Sequence, residues 1–382
     1  MKKVIALIDC DSFFVSCEQA ENPELKGKPV CVLSNNDGCV VSRSKEAKQM
    51  GIPMGIPYFM AKKDYPDAIY LSGRHSVYKT YSKKVMKIIG DFCPQIQIYS
   101  IDEAFGDISG LDKYFETDYI GVAKLLQKEI KEKTDIPVSI GISTSKTLAK
   151  YASDMSKNNG GIMAILESSD EILKNIKLAE VWGVGRKLSK KMEDLSLYNA
   201  LDITVKPDKW VSEKFGKNGV MLKHELLGEM MYPLEDEKPP KSIQDTSSMK
   251  KFTSDKKILK CELKNHILIS CQKLRNYGGY CSEVGVMLKT KDFKVYFLKE
   301  KLKYPSNFEM DISKTAYKLF DKIYNADLLY RSTGIILEGI SYGKDLQLSF
   351  FEDNTQVSSK LAKTLDKINQ KYGKNSIKAG LI

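Results

Sequence analysis

The stretch Gln95-Ile-Gln-Ile-Tyr-Ser-Ile-Asp-Glu-Ala-Phe-Gly-Asp-Ile-Ser109 predicts a strand, a short turn and a second strand. Side chains alternate between the faces of a strand, so Ile96 and Ile98 fall on one face. The turn carries two adjacent acids, Asp102 and Glu103, with apolar residues on both sides. We expect the rest of the chain to be organised around this acidic hairpin.

The two acids of the hairpin lack a basic partner nearby in the sequence. Burying a carboxylate is costly unless a counter-charge pairs with it, and no Lys or Arg lies between Asp91 and Lys113. A bound divalent cation would supply that charge. The alternative is a turn that simply favours Asp. A third acid, Asp9, at the end of the strand-like run Val4-Ile-Ala-Leu-Ile8, favours the cation because the two strand ends can meet at one sheet edge.

Length and composition indicate a globular protein of two to four domains. The chain has 382 residues, of which 42% are hydrophobic and 29% charged. No apolar run approaches the length of a membrane span, and Asp9 and Asp11 interrupt the apolar N-terminus, which argues against a signal peptide. Eight cysteines without a Cys-x-x-Cys pair and three scattered histidines argue against a zinc site or disulfide framework. We therefore expect a cytoplasmic protein with reduced thiols.

Positive charge is concentrated late in the chain. The formal net charge is +11, and residues 241–344 carry 20 basic against 11 acidic residues, whereas residues 1–110 carry 14 against 13. This distribution favours a polyanionic partner bound mainly by a C-terminal domain. The alternative is a Lys-rich proteome, because only five of the 60 basic residues are Arg.

The order of predicted elements indicates an α/β multidomain protein. Strands and helices alternate up to residue 166, which suggests a mixed sheet with helices on one face. Residues 20–73 form a small insert, in which Ser44 is a plausible helix N-cap. Segments after Glu167 become short and helical. Residues 236–241, charged and with a Pro pair, form a linker to a second α/β region.

Several basic residues could receive a polyphosphate near the acids. Phosphoryl transfer mainly requires that groups be positioned and charge neutralised. Arg43, Lys45 and Lys48 lie on the insert's loop and helix, and Lys157 lies in a second loop. The alternative for Lys45 and Lys48 is a solvated helix face.

The run Val181-Trp-Gly-Val-Gly-Arg-Lys187 precedes a basic helix. A Gly-x-Gly turn of this kind can bind a backbone phosphate through its amides, as helix-hairpin-helix loops do. Gly183, Gly185, Arg186 and Lys187 are therefore candidate DNA-binding residues. A plain tight turn is the alternative.

Four collinear motifs together resemble the Y family of translesion DNA polymerases: Asp9-Cys-Asp-Ser-Phe-Phe14, Tyr99-Ser-Ile-Asp-Glu-Ala-Phe105, Gly141-Ile-Ser143 and Asp154-Met-Ser-Lys157. Two more resemble its UmuC-like subgroup, the catalytic subunits of bacterial SOS mutagenic polymerases: Leu33-Ser-Asn-Asn-Asp-Gly-Cys-Val-Val-Ser-Arg43 and Val181-Trp-Gly-Val-Gly-Arg186. The resemblance covers about residues 1–350.

The resemblance implies a right-hand polymerase with a ferredoxin-like mixed-sheet palm, small fingers, a helical thumb and an α/β little finger. The implied boundaries are residues 1–19 and 74–166 for the palm, 20–73 for the fingers, 167–235 for the thumb, 242–344 for the little finger and 345–382 for a C-terminal tail.

The resemblance also implies roles for single residues. Asp9, Asp102 and Glu103, with the Cys10 carbonyl, would hold two Mg²⁺ ions, which Mn²⁺ can replace. Phe14 would be the steric gate against ribonucleotides, although by itself it would be an ordinary core aromatic. The dNTP substrate would be contacted by Phe14, Ser42, Arg43, Lys45, Lys48 and Lys157. Lys45 departs from the family, in which many members have Tyr.

A short motif follows the little finger. Gln347, Leu348, Ser349, Phe350 and Phe351 resemble the peptide that docks into the bacterial sliding clamp, with Phe350 in place of the usual Leu. The alternative is a buried strand end.

The resemblance implies template-directed, low-fidelity DNA synthesis in DNA damage tolerance and SOS mutagenesis. Its implied partners are primer–template DNA, the sliding clamp, a UmuD-like accessory dimer and a recombinase filament, all at the bacterial nucleoid. Two alternatives stay open: a non-catalytic DNA and clamp adaptor that retains the fold, and another two-metal nucleotidyl enzyme such as a cyclase.

Overall fold

The computed structural model describes residues 3–34, 37–157, 159–236, 238–342, 354–373 and 376–377. The chain divides into two compact units, Met1–Glu237 and Lys238–Ile382. The division falls inside the segment for which the sequence predicts a linker. The clamp-like peptide, residues 347–351, lies outside the described residues. Within the part of the chain that the structure describes, no helix is both long and apolar enough to cross a membrane.

The first unit alternates strands and helices up to residue 165 and is helical beyond it. Its strands are β1 (Ile5–Cys10), β2 (Val30–Leu33), β3 (Val40–Arg43), β4 (Ile69–Ser72), β5 (Ile96–Ile98), β6 (Glu103–Asp107), β7 (Val138–Ser143) and β8 (Ile162–Ile165). Its helices are α1 (Phe13–Glu21), α2 (Lys45–Gln49), α3 (Tyr58–Asp64), α4 (His75–Phe92), α5 (Leu111–Tyr114), α6 (Tyr119–Thr134), α7 (Lys146–Ser156), α8 (Asp170–Asn175), α9 (Arg186–Glu193), α10 (Ala200–Thr204) and α11 (Asp208–Leu226).

The central sheet has the strand order β5-β6-β1-β7-β8 and is mixed. Strand β1 is antiparallel to both β6 and β7, and β8 is parallel to β7. The sequence prediction of a mixed sheet is confirmed. The acidic hairpin is formed by β5 and β6, and pairing of β6 with β1 brings the hairpin next to the N-terminal strand.

Helices cover both faces of the central sheet, and the prediction of helices on one face is wrong. Ala6 and Ile8 of β1 belong to a core that α4 and α6 cover, whereas Ile5 and Leu7 pack with Ala149 of α7 on the opposite face. Gly141 of β7 lies under α7, whose backbone comes so close that no Cβ would fit there. The uninterrupted apolar run of β1 is the sequence signal for burial on both faces.

The insert forms a separate small sheet of order β3-β2-β4, in which β2 pairs antiparallel with β3 and parallel with β4. Its core is built from small and branched side chains: Cys31, Leu33, Val40, Ala47, Ile52, Ala61 and Ala68. Ser44 caps α2 by accepting a hydrogen bond from the Ala47 N–H (3.2 Å), which confirms the predicted N-cap.

Residues 167–235 pack short helices around a core of their own that also touches α7. The sequence predicts two helices at 210–215 and 220–227, and the structure has α11 across both, with Gly216 in a left-handed, non-helical conformation between them. The fully buried Glu225 carboxylate accepts the backbone N–H groups of Thr147, Met231 and Tyr232. Glu225 therefore links the end of α11 to the N-terminus of α7 through hydrogen bonds.

The second unit is an antiparallel sheet with two packed helices and a third helix near the C-terminus. It contains β9 (Ile243–Thr253), α12 (Lys256–Asn276), β10 (Gly279–Thr290), β11 (Val295–Ser306), α13 (Glu309–Ile323), β12 (Tyr330–Glu338), β13 (Ser341–Tyr342) and α14 (Asn354–Tyr372). The sheet order is β11-β10-β12-β9, with β13 paired to β10. Strands β9 and β11 were not predicted, because both are rich in polar residues and lie at the sheet edges.

Candidate active site

Three acids meet where β1 and β6 run side by side. Asp9 is the direct cross-strand partner of Glu103 in the β1–β6 ladder, and the N–H of Cys10 donates to the Asp102 carbonyl (2.9 Å). The sequence did not establish how close Glu103 comes to Asp9. The structure brings Asp9, Cys10, Asp102 and Glu103 together at one place on the sheet.

The turn that carries Asp102 and Glu103 is held by Ser100, a residue that was not predicted to belong to the site. The Ser100 hydroxyl donates to the Asp102 carboxylate, and its oxygen accepts the N–H groups of Asp102 (3.3 Å) and Glu103 (3.1 Å). The Glu103 carbonyl accepts the N–H of Tyr99 (3.0 Å). A Ser two residues before an Asp in a turn is a recognisable signal for this arrangement.

Two lysines supply the counter-charge that the hairpin lacks locally. Lys150 of α7 donates to the Glu103 carboxylate, with both side chains largely buried. Lys157, immediately after α7, donates to Asp9 (3.0 Å) and to Asp154 (2.9 Å). Lys150 was missed because nothing in the sequence places the middle of α7 beside the hairpin.

Burial makes Asp9 an unusual carboxyl group. Asp9 is only 8% exposed, and this desolvation, reinforced by the neighbouring Glu103 carboxyl, raises its pKa to about 7 despite the opposing effect of Lys157. Burial alone would lower the pKa of Lys157, but its contacts with Asp9 and Asp154 outweigh that effect and raise it. A pair of adjacent buried acids would be stabilised by additional positive charge.

The donor chemistry of this cluster fits a divalent cation. Carboxylate and carbonyl oxygens are the ligands that hard cations such as Mg²⁺ prefer, and Asp9, Cys10, Asp102 and Glu103 bring such oxygens together. Across the residues that the structure describes, no group of three or more acids, histidines or cysteines is arranged as a ready metal cage. In this arrangement, ammonium groups of Lys150 and Lys157 neutralise the acids instead.

A cavity of about 260 Å³ opens beside Asp9 and Asp102. It brings together most of the residues predicted to contact a nucleotide, since it is lined by Asp9, Cys10, Ser12, Phe13, Phe14, Val41, Ser42, Arg43, Lys48, Met54, Asp102 and Lys157. Glu103 and Lys45 are not among the lining residues. Lys45 is exposed on α2.

The polar wall of the cavity is built around the start of α1. Ser12, the N-cap residue, has left-handed backbone angles (φ 47°, ψ 44°), an unusual conformation for a residue with a side chain. Its hydroxyl accepts from the Lys48 ammonium (2.8 Å), and its carbonyl accepts from the Ser42 hydroxyl (3.1 Å). The Arg43 guanidinium donates to the Ile52 carbonyl, and among the described residues none accepts its buried Nε–H. These contacts connect the insert to the cavity.

Phe14 borders the cavity and also packs against the core. Its ring is stacked on that of Tyr78, with centroids 4.6 Å apart, and lies edge-on to His75 (5.9 Å). Phe14 is half-buried between the core and the cavity, and its role as steric gate stays a prediction.

The Gly-x-Gly loop leads directly into α9. Gly183 adopts a left-handed conformation (φ 88°), and Gly185 is the N-cap of α9 with no atom within 4 Å of the place where a Cβ would lie. Arg186 and Lys187 are exposed on the first turn. This exposure fits both a phosphate-binding loop and a plain tight turn, so the predicted DNA contact stays a prediction.

Comparison with known proteins identifies the family. The model for the impB/mucB/samB family matches residues 8–154, and that for its C-terminal domain matches residues 240–350. UmuC of Salmonella typhimurium is 32% identical over 98% of this chain and 92% of its own length. The chain belongs to the impB/mucB/samB family.

Other proteins that are similar to this chain carry polymerase names. DNA polymerase IV of Dehalococcoides mccartyi (strain CBDB1) is 30% identical over 98% of this chain and 96% of its own length. Among solved structures, a chimera of the Y-family DNA polymerases Dbh and Dpo4 matches with a TM-score of 0.74 and 26% identity, over 89% of this chain and 100% of that one. The predicted Y-family, UmuC-like relationship and multidomain polymerase fold are confirmed.

Proposed function

We propose that this chain is a template-directed DNA polymerase of the translesion type, which adds dNTPs to a primer 3′-hydroxyl with low fidelity, in DNA damage tolerance and SOS mutagenesis. The observation that carries the proposal is the pairing of Asp9 with Glu103, beside Asp102, next to a cavity lined by basic and hydroxyl groups. Relatives named UmuC and DNA polymerase IV support it.

Asp9, Asp102, Glu103 and the Cys10 carbonyl would hold two Mg²⁺ ions, which Mn²⁺ could replace. When bound, such ions lower the pKa of an attacking hydroxyl and neutralise the leaving pyrophosphate. Lys150 and Lys157 keep the acids neutralised in the absence of a cation. When a cation replaces Lys157 beside Asp9, Lys157 would keep Asp154 as its partner, so its ammonium group would not be left unpaired.

The cavity wall would bind and orient the dNTP. Lys48, Arg43 and Lys157 would neutralise the triphosphate, with Ser42 donating a hydrogen bond and Lys45 contributing charge from the surface of α2. Phe14 would exclude the ribose 2′-hydroxyl, since its ring is fixed against Tyr78 and cannot withdraw into the core. Residues 1–19 and 74–166 would act as palm, and 20–73 as fingers.

Residues 167–235 would act as thumb and 242–344 as little finger, and both would hold primer–template DNA through its phosphates. Gly183 and Gly185 would allow close approach of the backbone, with Arg186 and Lys187 adding charge. Contacts of this kind are independent of sequence and weaken with salt. The 20 basic against 11 acidic residues in 241–344 support the same role for the second unit.

Residues 347–351 would bind the sliding clamp, and a UmuD-like accessory dimer and a recombinase filament would complete the assembly at the nucleoid in the cytoplasm. The support for these partners is the clamp-like motif in the sequence and the similarity to UmuC.

Primer extension tests the proposal. The wild-type chain, supplied with Mg²⁺, clamp and accessory dimer, should extend a primer on a gapped and on a lesion-bearing template, and Asp102→Ala should abolish extension while DNA binding persists. Asp91→Ala, at an exposed acid that pairs with Lys87, is the matched control and should extend normally. A wild-type chain that binds DNA and clamp without extending primers would instead support a non-catalytic adaptor.

A further inference from the structure

The side chain of Trp182 brings the Gly-x-Gly loop into contact with the acidic hairpin. Val181 and Val184 of the loop are buried in the core of residues 167–235. Trp182 between them turns the other way, and its indole N–H donates to the Tyr99 hydroxyl (2.9 Å). One loop therefore has its glycines open to solvent and its tryptophan on the hairpin.

Aromatic packing reinforces this contact. The Trp182 ring lies edge-on to Tyr99 (5.5 Å between centroids), against Phe105 of β6 (5.9 Å), and edge-on to Tyr232 (5.8 Å). Phe105 is fully buried in the central sheet. Trp182 thus contacts the hairpin on both sides of Asp102 and Glu103, at Tyr99 just after β5 and at Phe105 within β6.

The same cluster reaches the acids. The Tyr99 N–H donates to the Glu103 carbonyl (3.0 Å), and the Lys150 ammonium that pairs with the Glu103 carboxylate lies over the Tyr99 ring (5.8 Å). A displacement of Tyr99 would therefore disturb the hydrogen bond to the Glu103 backbone. It would also move the Lys150 ammonium that pairs with the Glu103 carboxylate.

From these contacts we infer that Trp182 is a positioning residue, through which DNA held at Gly183 and Gly185 sets the placement of Glu103 and Asp102. The inference rests on the proposed polymerase function. A loop that only binds phosphate needs its backbone amides and no tryptophan. Positioning of the hairpin would therefore explain why the loop carries an indole.

A double-mutant cycle on the hydrogen bond is the first test. Trp182→Phe and Tyr99→Phe each remove one partner of the bond and keep a ring, and each should lower the single-nucleotide incorporation rate at saturating DNA and dNTP by about two- to fivefold. The double variant should lose no more than either single variant, because both remove the same bond. Losses that multiply, or no loss in either variant, would overturn the inference.

Removing the whole ring separates positioning from DNA binding. Trp182→Leu should lower the incorporation rate by about tenfold or more, with the dissociation constant for primer–template nearly unchanged. Trp210→Leu is the control, since Trp210 packs on Phe215 within the same helical region and its loss should leave the rate unchanged. A weakened DNA affinity with a normal rate would make Trp182 an ordinary DNA contact.

Fluorescence provides a readout that needs neither catalysis nor metal. The chain has two tryptophans, so Trp210→Phe leaves Trp182 as the sole indole. Adding primer–template in EDTA should change its emission, and Tyr99→Phe should alter that change. DNA binding with no change in emission would contradict the coupling. A wild-type chain that extends no primer refutes the polymerase proposal itself, which is a separate outcome.

Discussion

The ring of Phe14 lies parallel to the ring of Tyr78, with centroids 4.6 Å apart and planes inclined by 19°. Tyr78 is fully buried, and its hydroxyl donates to the Glu18 carboxylate (2.7 Å), which also pairs with Arg74. The proposed steric gate is therefore backed by a buried aromatic ring whose position is fixed by an ion pair. Offset stacking of this kind adds rigidity beyond the area it buries.

Replacing Phe14 with Ala should weaken sugar discrimination. The cavity would gain room for a 2′-hydroxyl, so the preference for dNTP over rNTP should fall by about 10- to 100-fold. Steady-state incorporation of matched dNTP and rNTP measures this preference. Phe59→Ala, at a 75% exposed ring on α3, is the control. An unchanged preference in Phe14→Ala would remove the gate assignment.

Removal of one or the other partner of the Glu18–Arg74 ion pair should lower the free energy of unfolding by unequal amounts. Glu18 is only 4% exposed, whereas the Arg74 side chain is 47% exposed. Arg74→Met leaves a buried carboxylate without its cation and should cost about 3 kcal/mol. Glu18→Gln keeps an acceptor for Tyr78 and frees an arginine that water can solvate, and should cost about 1 kcal/mol.

Urea unfolding of Arg74→Met and Glu18→Gln measures which variant loses more free energy of unfolding. Lys87→Met, at a pair whose side chains are 74% and 64% exposed, should cost less than about 1 kcal/mol. Equal losses in Arg74→Met and Glu18→Gln would show that burial of Glu18 does not decide the energetics.

Much of the site could be predicted because its residues follow strong local patterns. The apolar run Val4-Ile-Ala-Leu-Ile8 predicted the strand that carries Asp9, and Ser44 predicted the start of α2. The pairing of Asp9 with Glu103 could not be predicted, because cross-strand register depends on how β1 and β6 meet. Lys150 was missed for the same reason, since it lies four residues into α7 and reaches Glu103 only once the helix packs on the sheet.

The position of β5 at the edge of the sheet accounts for another difference between the predicted and the observed structure. Ile98 was expected to share an apolar face with Ile96, yet it is 48% exposed. Strand β5 is at the edge of the central sheet and has only three residues, so few elements cover it. Period-two patterns identify a face but do not say whether another element covers that face.

Asp9 should make the metal-free protein less stable at alkaline pH. Its pKa is about 7 in the folded chain, against 3.8 for an ordinary Asp. The folded protein therefore holds a proton that the unfolded chain releases, so the contribution of Asp9 to stability is full below about pH 4 and is lost as the pH rises through 7. Asp9→Asn mimics the protonated form, so in EDTA it should melt about 3–8 °C higher than wild type at pH 8.

The difference in melting temperature between Asp9→Asn and wild type should shrink steadily toward pH 4. Adding Mg²⁺ at pH 8 should stabilise wild type and have little effect on the variant, because the proposed ligand is lost. Asp112→Asn, at an acid outside the cluster, should not alter the pH dependence. A difference that is independent of pH between 4 and 8 would contradict the raised pKa.

Arg275 should be a main contributor to the stability of the second unit. It is 5% exposed and donates to Asp366 of α14 (2.6 Å), to Glu309 of α13 (2.6 Å) and to the Asn307 carbonyl (2.7 Å). Arg275→Met leaves two largely buried carboxylates without a cation and should cost about 3–5 kcal/mol. Differential scanning calorimetry of the full chain measures the loss, and Lys256→Met, at a half-exposed pair with Asp321, should change little.

Gly141 should be required for the distance between α7 and the sheet. A Cβ at this position would lie 2.1 Å from both the Ala149 carbonyl oxygen and the Ser153 nitrogen, which are backbone atoms that cannot rotate away. Gly141→Ala should therefore push α7 outward and cost about 1–3 kcal/mol. Because α7 carries Lys150 and leads into Lys157, the incorporation rate should fall together with stability.

Gly185→Ala is the matched control for Gly141→Ala, since no atom lies within 4 Å of its Cβ position and its φ of −82° suits any residue. Its melting temperature should equal that of wild type, while its affinity for primer–template should fall because the added methyl group stands where the phosphate would approach. The two variants separate helix packing from DNA contact. Gly141→Ala should lose stability and incorporation rate, whereas Gly185→Ala should lose only DNA affinity. Full stability and a normal rate in Gly141→Ala would show that the position of α7 does not govern the acids.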